Sequence, residues 1–345
     1  DGIYQQIQAF ANFGFAESHS LSFALLVYAS SWLKLHYPAA FLAGLLRAQP
    51  MGFYSSATLT SDARRHGVTV LRPCLARSGA DAVLEGSGDG GGGRRAGPTG
   101  MDACLVRPQP MVGEFVGGAP DESVRHRRDE GFAVRLGLAG IRGIGSKAAE
   151  KMVAARAQSA FTSMEDLARR CGLSATQLEA LAASGALESL GLTRREALWR
   201  AGTAALDQEQ YLPGTAVAVQ PPLFGDPTAL ETLIDDLWTT GVSTDDHPLS
   251  HVRPMLDGRG VLTSSGLRTA DAGSRVQVAG VVTHRQRPST ASGITFVNLE
   301  DEHGLVNVVC SKGVWARYRR IARESSALIV RGTLERSPEG VVNVV

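Results

Sequence analysis

Residues 138–150 read LAGIRGIGSKAAE, a Gly-x-Gly bend at Gly143 and Gly145 that opens directly into a helix-favouring run from Lys147. Glycine tolerates positive φ and lets another backbone or a ligand come close. A bend of this kind at a helix start turns backbone N–H groups outward, where the helix dipole favours an anion. The stretch therefore predicts a cradle for a nucleic-acid phosphate that reads no base, formed by Arg142, Gly143, Gly145, Ser146 and Lys147. A tight corner that touches only protein is the bland alternative, and phosphate contact is the reading carried forward.

Helical periodicity continues from Lys147 to about Leu206, with turn signals at Cys171-Gly172, Ser184-Gly185 and Gly191. Together with FTSMEDL over 161–167 and LEALAASGAL over 178–187, the bend resembles a helix-hairpin-helix motif. From Arg275 the pattern changes to alternation: RVQVAGVVT, ITFVNLED, GLVNVVC, a short basic helix over 312–323, ALIVRGTLE and GVVNVV. Five short strands with one helix interposed fit an OB-fold barrel. Upstream, a helix from about Ser20 is stopped by Pro38, and a second runs from Ala39 to Ala48 before Pro50. Residues 86–130 begin GSGDGGGGRRAGPTG and lack the apolar content to offset their ordering entropy, which predicts a flexible insertion.

The fold class expected is multidomain α+β. Its parts are a helical segment over 1–85, the Gly-rich insertion over 86–130, an all-α helix-hairpin-helix domain over 131–205, an acidic linker over 206–264 and a C-terminal OB-fold β-barrel over 265–345. Net charge is only +1, but it is unevenly placed. Residues 131–205 hold ten basic and six acidic side chains, 206–264 two and nine, and 265–345 eleven and seven. Two basic modules flank an acidic connector, and local positive fields attract a polyanion.

Four cysteines (Cys74, Cys104, Cys171, Cys310) have no paired spacing, so neither a disulfide framework nor a zinc finger is indicated, and a cytoplasmic setting is expected. The longest apolar run, about residues 23–33, is short of the roughly 20 residues a bilayer needs, so no membrane partner is expected. His247 and His251 are four apart, but Pro248 lies between them and no third ligand is near.

Residues 10–49, FANFGFAESHSLSFALLVYASSWLKLHYPAAFLAGLLRAQ, resemble the fingers region of bacterial C-family (DnaE-type) DNA polymerases. AQPMGFY over 48–54, DARRHG over 62–67 and VTHRQRP over 282–288 are similar to the error-prone branch of that family, as is Glu17, where the replicative branch usually has Lys. With 345 residues and no initiator Met, the chain resembles the C-terminal third of such an enzyme, beginning inside a domain. The family's connection at 86–130 is usually much shorter.

The resemblance implies that Ser18, His19 and Ser20 face the incoming nucleoside triphosphate, whereas chemistry alone reads a Ser-rich helix start equally well as a cap. Basic groups near aromatics suit single-strand binding, which makes Arg285, Arg287, Lys312, Trp315 and Arg317 the barrel's candidates. Trp315 could equally plug the barrel. Gln220, Leu223 and Phe224 stand where replicative relatives carry a sliding-clamp-binding peptide, although Pro221-Pro222 departs from that pattern.

Two-metal phosphoryl transfer needs clustered carboxylates. The acidic runs Asp235-Asp236, Asp245-Asp246 and Glu300-Asp301-Glu302 are expected in the linker and at a solvated strand edge, so no catalytic or metal residue is assigned in this chain. The resemblance implies that the palm carboxylates, with their Mg²⁺, lie upstream. It also implies primer-template DNA, single-stranded template and dNTP as ligands, with the sliding clamp and mutasome accessory proteins as partners. The rival reading is a non-catalytic DNA-binding or scaffold protein derived from such a polymerase.

Overall fold

The computed structural model describes residues 3, 17–52, 54–86, 126–206, 225, 227–288, 291–337 and 341–345. Helix α1 (Glu17–His36) leads into α2 (Pro38–Arg47), whose first residue is the proline expected to stop the preceding helix. Proline suits that place because its missing N–H had no helical partner there. Tyr37 provides no side-chain cap; the Asp129 carboxylate instead accepts from Ala39 N at 2.8 Å and Ala40 N at 3.1 Å. Arg127 Nε in turn holds Asp129 Oδ1 at 2.8 Å. His126 and Asp129 are buried, so residues 126–130, expected within a flexible insertion, are built into the fold as a remote helix cap. Residues 87–125 of that insertion lie outside the described residues.

Helix α3 (Ser56–Arg65), capped by Ser55, packs on α2. A small sheet adjoins them, in the order β1 (Val70–Leu71), β3 (Phe132–Arg135), β2 (Val83–Gly86), with β3 parallel to β1 and antiparallel to β2. Sequence patterning shows none of it, because runs of two to four residues display no period. The core here is Ala39, Leu42, Val68, Val70 and Val134, and Arg135 closes the sheet by pairing with Glu85 across the β2–β3 ladder.

The helical unit comprises α4 (Gly145–Gln158), α5 (Met164–Cys171), α6 (Ala175–Ala183) and α7 (Arg194–Ala204) around Leu138, Ile141, Met152, Leu167, Leu178 and Leu181. Ser163, Ser174 and Thr193 cap α5, α6 and α7, the last two in reciprocal capping boxes with Gln177 and Glu196.

The stretch expected as an acidic linker is in good part structured. Helix α8 (Ala229–Thr239) starts at a Thr228–Glu231 capping box and buries Leu233, Asp236 and Thr239. Arg194 Nη2 reaches Asp236 Oδ1 at 2.7 Å, with both side chains 5% exposed. Burial pushes the Asp236 carboxyl up against the pull of Arg194 and Arg72. Breaking such a pair from one side leaves an uncompensated charge in the interior. Acidity here thus serves docking, and short helices α9 (Arg253–Asp257) and α10 (Gly266–Thr269) carry the chain to the barrel.

The barrel closes in the order β4-β5-β6-β8-β7 from β4 (Arg275–Gln286), β5 (Thr295–Glu300), β6 (Leu305–Cys310), β7 (Ala327–Arg336) and β8 (Val342–Val344). Helices α11 (Lys312–Arg317) and α12 (Arg319–Glu324) fill the place of the single helix expected between the third and fourth strands. Alternation sends Val276, Val278, Val297, Leu299, Val306 and Val308 inward.

Glu300-Asp301-Glu302 is not the solvated run expected. Glu300 and Asp301 are buried: Arg65 Nη1 meets Glu300 at 3.1 Å, and Asp301 accepts from Ser264, His303 and Gly304. Glu302 pairs with Arg253; burial opposes its ionisation, but the Arg253 hydrogen bond and charge outweigh burial and hold the carboxyl below its ordinary value. The run therefore fastens the barrel to α3 and α9.

Candidate nucleic-acid interface

The hairpin is held from beneath and bare above. Ile141 and Ile144 are buried in the helical core, while Arg142, Gly143, Gly145, Ser146 and Lys147 are exposed. Gly143 and Gly145 adopt φ of +80° and +66°, and the space where a Cβ would stand is open at both. The glycines are therefore required for backbone conformation rather than for lack of room. Gln177 Nε2 donates to the Gly143 carbonyl at 3.2 Å, tying the bend to the first turn of α6. Helix α4 has no side-chain cap and no acidic residue in its first turn, unlike α7 and α8, which have both. Its N-terminal amides are thus left for an outside acceptor.

Arg142 is anchored from the other side: its N–H donates to Thr239 O at 2.7 Å and its guanidinium lies 5.0 Å from the Trp238 ring centroid. The docked α8 helix thus supports one edge of the bend, which sequence reading of a linker could not show.

The barrel candidates divide. Arg287 and Lys312 converge beside Gly293, both within 4 Å of the point where a Cβ would stand. Arg285 is engaged otherwise, its guanidinium donating to the carbonyls of Ala322 and Ser325 at the end of α12. Trp315 packs half-buried against the barrel core, the plug reading of that residue, and Arg317 lies over the Tyr318 ring at 5.4 Å.

A second face was missed. Asn298, Asn307 and Asn343 occupy paired positions on β5, β6 and β8, and Asn307 Nδ2 donates to Asn343 Oδ1 at 2.5 Å. His284 pairs with Asn298 on one flank, and Phe296 stands one step along between Gln286 and Val309. The inward-pointing strand neighbours of Phe296, Asn298, Asn307 and Asn343 put these four side chains on the outward surface, and His284, Gln286 and Val309 share it as cross-strand partners. The signal was present in the triads VNL at 297–299, VNV at 306–308 and VNV at 342–344, since asparagine is depleted from strand interiors.

Of the fingers candidates, Ser18, His19 and Ser20 lie in the first turn of α1, with Ser22 Oγ donating to the Ser18 carbonyl at 2.9 Å and the His19 ring edge-on to Phe23 at 4.3 Å. Gln220, Leu223 and Phe224 lie outside the described residues. Among the described residues, no group of three or more His, Cys, Asp or Glu side chains is placed to hold a metal ion, and no helix is long and apolar enough to cross a membrane. His247 is half-buried, its ring accepts from Leu249 N at 3.2 Å, and desolvation pushes its pKa down.

Fold and geometry together define a chain of the helix-hairpin-helix and OB class. A helix-hairpin-helix motif model matches residues 67–197, and a model of the OB-fold nucleic acid binding domain matches 276–345. Error-prone DNA polymerases align over essentially the whole chain: that of Cutibacterium acnes is 52% identical over 99% of this chain and 30% of its own length. That of Nocardia farcinica is 47% identical over 100% and 27%, and that of Mycobacterium tuberculosis 46% over 100% and 28%. The chain belongs to the error-prone DNA polymerase family, and it spans under a third of the length of these relatives.

Proposed function

We propose that this chain is the C-terminal, DNA-gripping part of an error-prone DNA polymerase. In this reading the Gly143/Gly145 bend holds the sugar-phosphate rail of primer-template duplex through its amides, with Lys147 and Arg142 adding charge. The barrel holds single-stranded template on its Phe296 and asparagine face, with Arg287 and Lys312 at the edge. The observation that carries the reading is the uncapped, exposed start of α4 behind two positive-φ glycines. Nucleotide addition belongs to palm carboxylates and Mg²⁺ outside these residues, and Ser18, His19 and Ser20 contribute contacts to the incoming dNTP.

The finer expectations stand as parts of the same proposal: a cytoplasmic setting, a barrel domain over 265–345, accessory proteins of the mutasome type, and clamp binding through Gln220, Leu223 and Phe224. Fluorescence anisotropy with primed DNA across a salt series tests the central claim. Affinity should fall steeply with salt, as expected when phosphates are neutralised; salt-insensitive or absent binding defeats the reading. Primer extension by the 345-residue chain alone should yield no product, and incorporation would overturn the assignment of chemistry elsewhere.

A further inference from the structure

Helices α2 and α3 and the barrel's β6 enclose a pocket of about 400 Å³. Its inner wall is apolar, with Leu42 buried and Phe41, Leu45 and Leu59 half-buried. Its mouth is formed by Tyr54, 51% exposed, and by Leu305 of β6, 47% exposed. The volume is in the range of small-molecule sites.

The mouth is continuous with the barrel's outward surface. Leu305 lies two residues before Asn307 on the same face of β6, and the Tyr54 ring packs edge-on to His284, 5.9 Å between centroids. A strand lying across Phe296 and the asparagines would reach the pocket at that end. Lys34 Nζ and Asp62 Oδ2, 2.7 Å apart, also line it, setting a donor and an acceptor side by side.

We propose that this pocket captures one unstacked nucleobase of the single strand held on the barrel face. The inference rests on the reading of that face given above. Two rings, Phe41 and Tyr54, offer π surfaces to a flat heterocycle. A base edge carries adjacent donors and acceptors that answer the Lys34–Asp62 pair. An aliphatic side chain of a protein partner would fill the apolar wall but present no polar group to the paired Lys34 and Asp62.

The test measures binding of the 345-residue chain to single-stranded oligonucleotides of about 16 nucleotides, each lacking one base at a different position. The position stacked on Phe296 should show one penalty, and at the separate position whose base enters the pocket the missing base should weaken binding about tenfold, the scale of one stacked base. That penalty should vanish in Leu45→Trp, which fills the pocket, and in Tyr54→Ala, a change at an exposed site that spares the fold. It should persist in Phe296→Ala, which should erase the penalty at a different position. If both pocket variants keep the wild-type profile, no base enters, and the pocket is left to a protein side chain. If the wild-type chain shows no salt-sensitive affinity for any single strand, the barrel reading fails and takes the pocket with it. Pocket variants that bind the intact strand as the wild-type chain binds the strand missing that one base, and no more weakly, isolate the pocket from the face.

Discussion

The hairpin and the barrel face offer a polyanion two different chemistries. At the hairpin the ligand groups are main-chain amides, fixed by two glycines and by isoleucines buried beneath them. On the barrel they are side chains, Phe296 and three asparagines, brought level by strand register. A backbone cradle suits what every nucleotide shares, whereas rings and amides meet what differs between bases. On the proposed function, the contrast would let one chain hold duplex and single strand without a single large basic patch.

The largest effect that could break this comparison is expected from Arg194→Ala. Removing one partner of the buried Arg194–Asp236 pair should cost about 3–5 kcal/mol, read as a lower urea midpoint, because α8 loses its dock. Duplex binding should fall with it, through the lost support of Arg142 by Trp238 and Thr239, while single-strand binding by the barrel survives. Equal loss of both would mean that the two regions do not act separately.

Next in size, Gly143→Val and Gly145→Val force a β-branched residue to φ of +80° and +66°, a strain of about 1–3 kcal/mol. Duplex affinity should drop about tenfold or more for all sequences alike. A loss confined to some sequences would contradict phosphate recognition. Phe296→Ala should sharpen the other half, weakening single-strand affinity by about 1–3 kcal/mol while leaving duplex titrations unchanged. Lys147→Ala, smaller still, should reduce the slope of log K against log salt by about 1.

The smallest effect concerns pH. The Arg135 hydrogen bond and charge hold Glu85 below its ordinary value of 4.5 despite burial. A depressed folded-state value contributes stability that is fully present above pH 4.5 and fades as pH falls through the folded value. Glu85→Gln should therefore flatten the acid limb of the stability curve, and an unchanged limb would remove that role from the pair.

The hairpin was legible because its evidence is local: glycines, spacing and helix start lie within thirteen consecutive residues. The barrel's strands were legible for the same reason, each declaring its own alternation. What joins distant segments was not. Asp129 capping α2 from ninety residues away, β3 between β1 and β2, and Arg194 meeting Asp236 belong to no periodic pattern. Acidic residues read as solvated linker or strand-edge charge turned out to be fasteners, since composition cannot tell a paired carboxylate from a hydrated one.

The amino-acid order alone determined the helix-hairpin-helix bend, the five barrel strands and the membership of an error-prone polymerase family, all properties of neighbouring residues. Tertiary structure decided which side chains share a surface: it set Asn298, Asn307 and Asn343 in one row, turned Arg285 to cap a helix, and placed Tyr54 beside His284. The physical reason is that register and docking are fixed by the burial of whole elements against one another, a balance no short window of sequence contains.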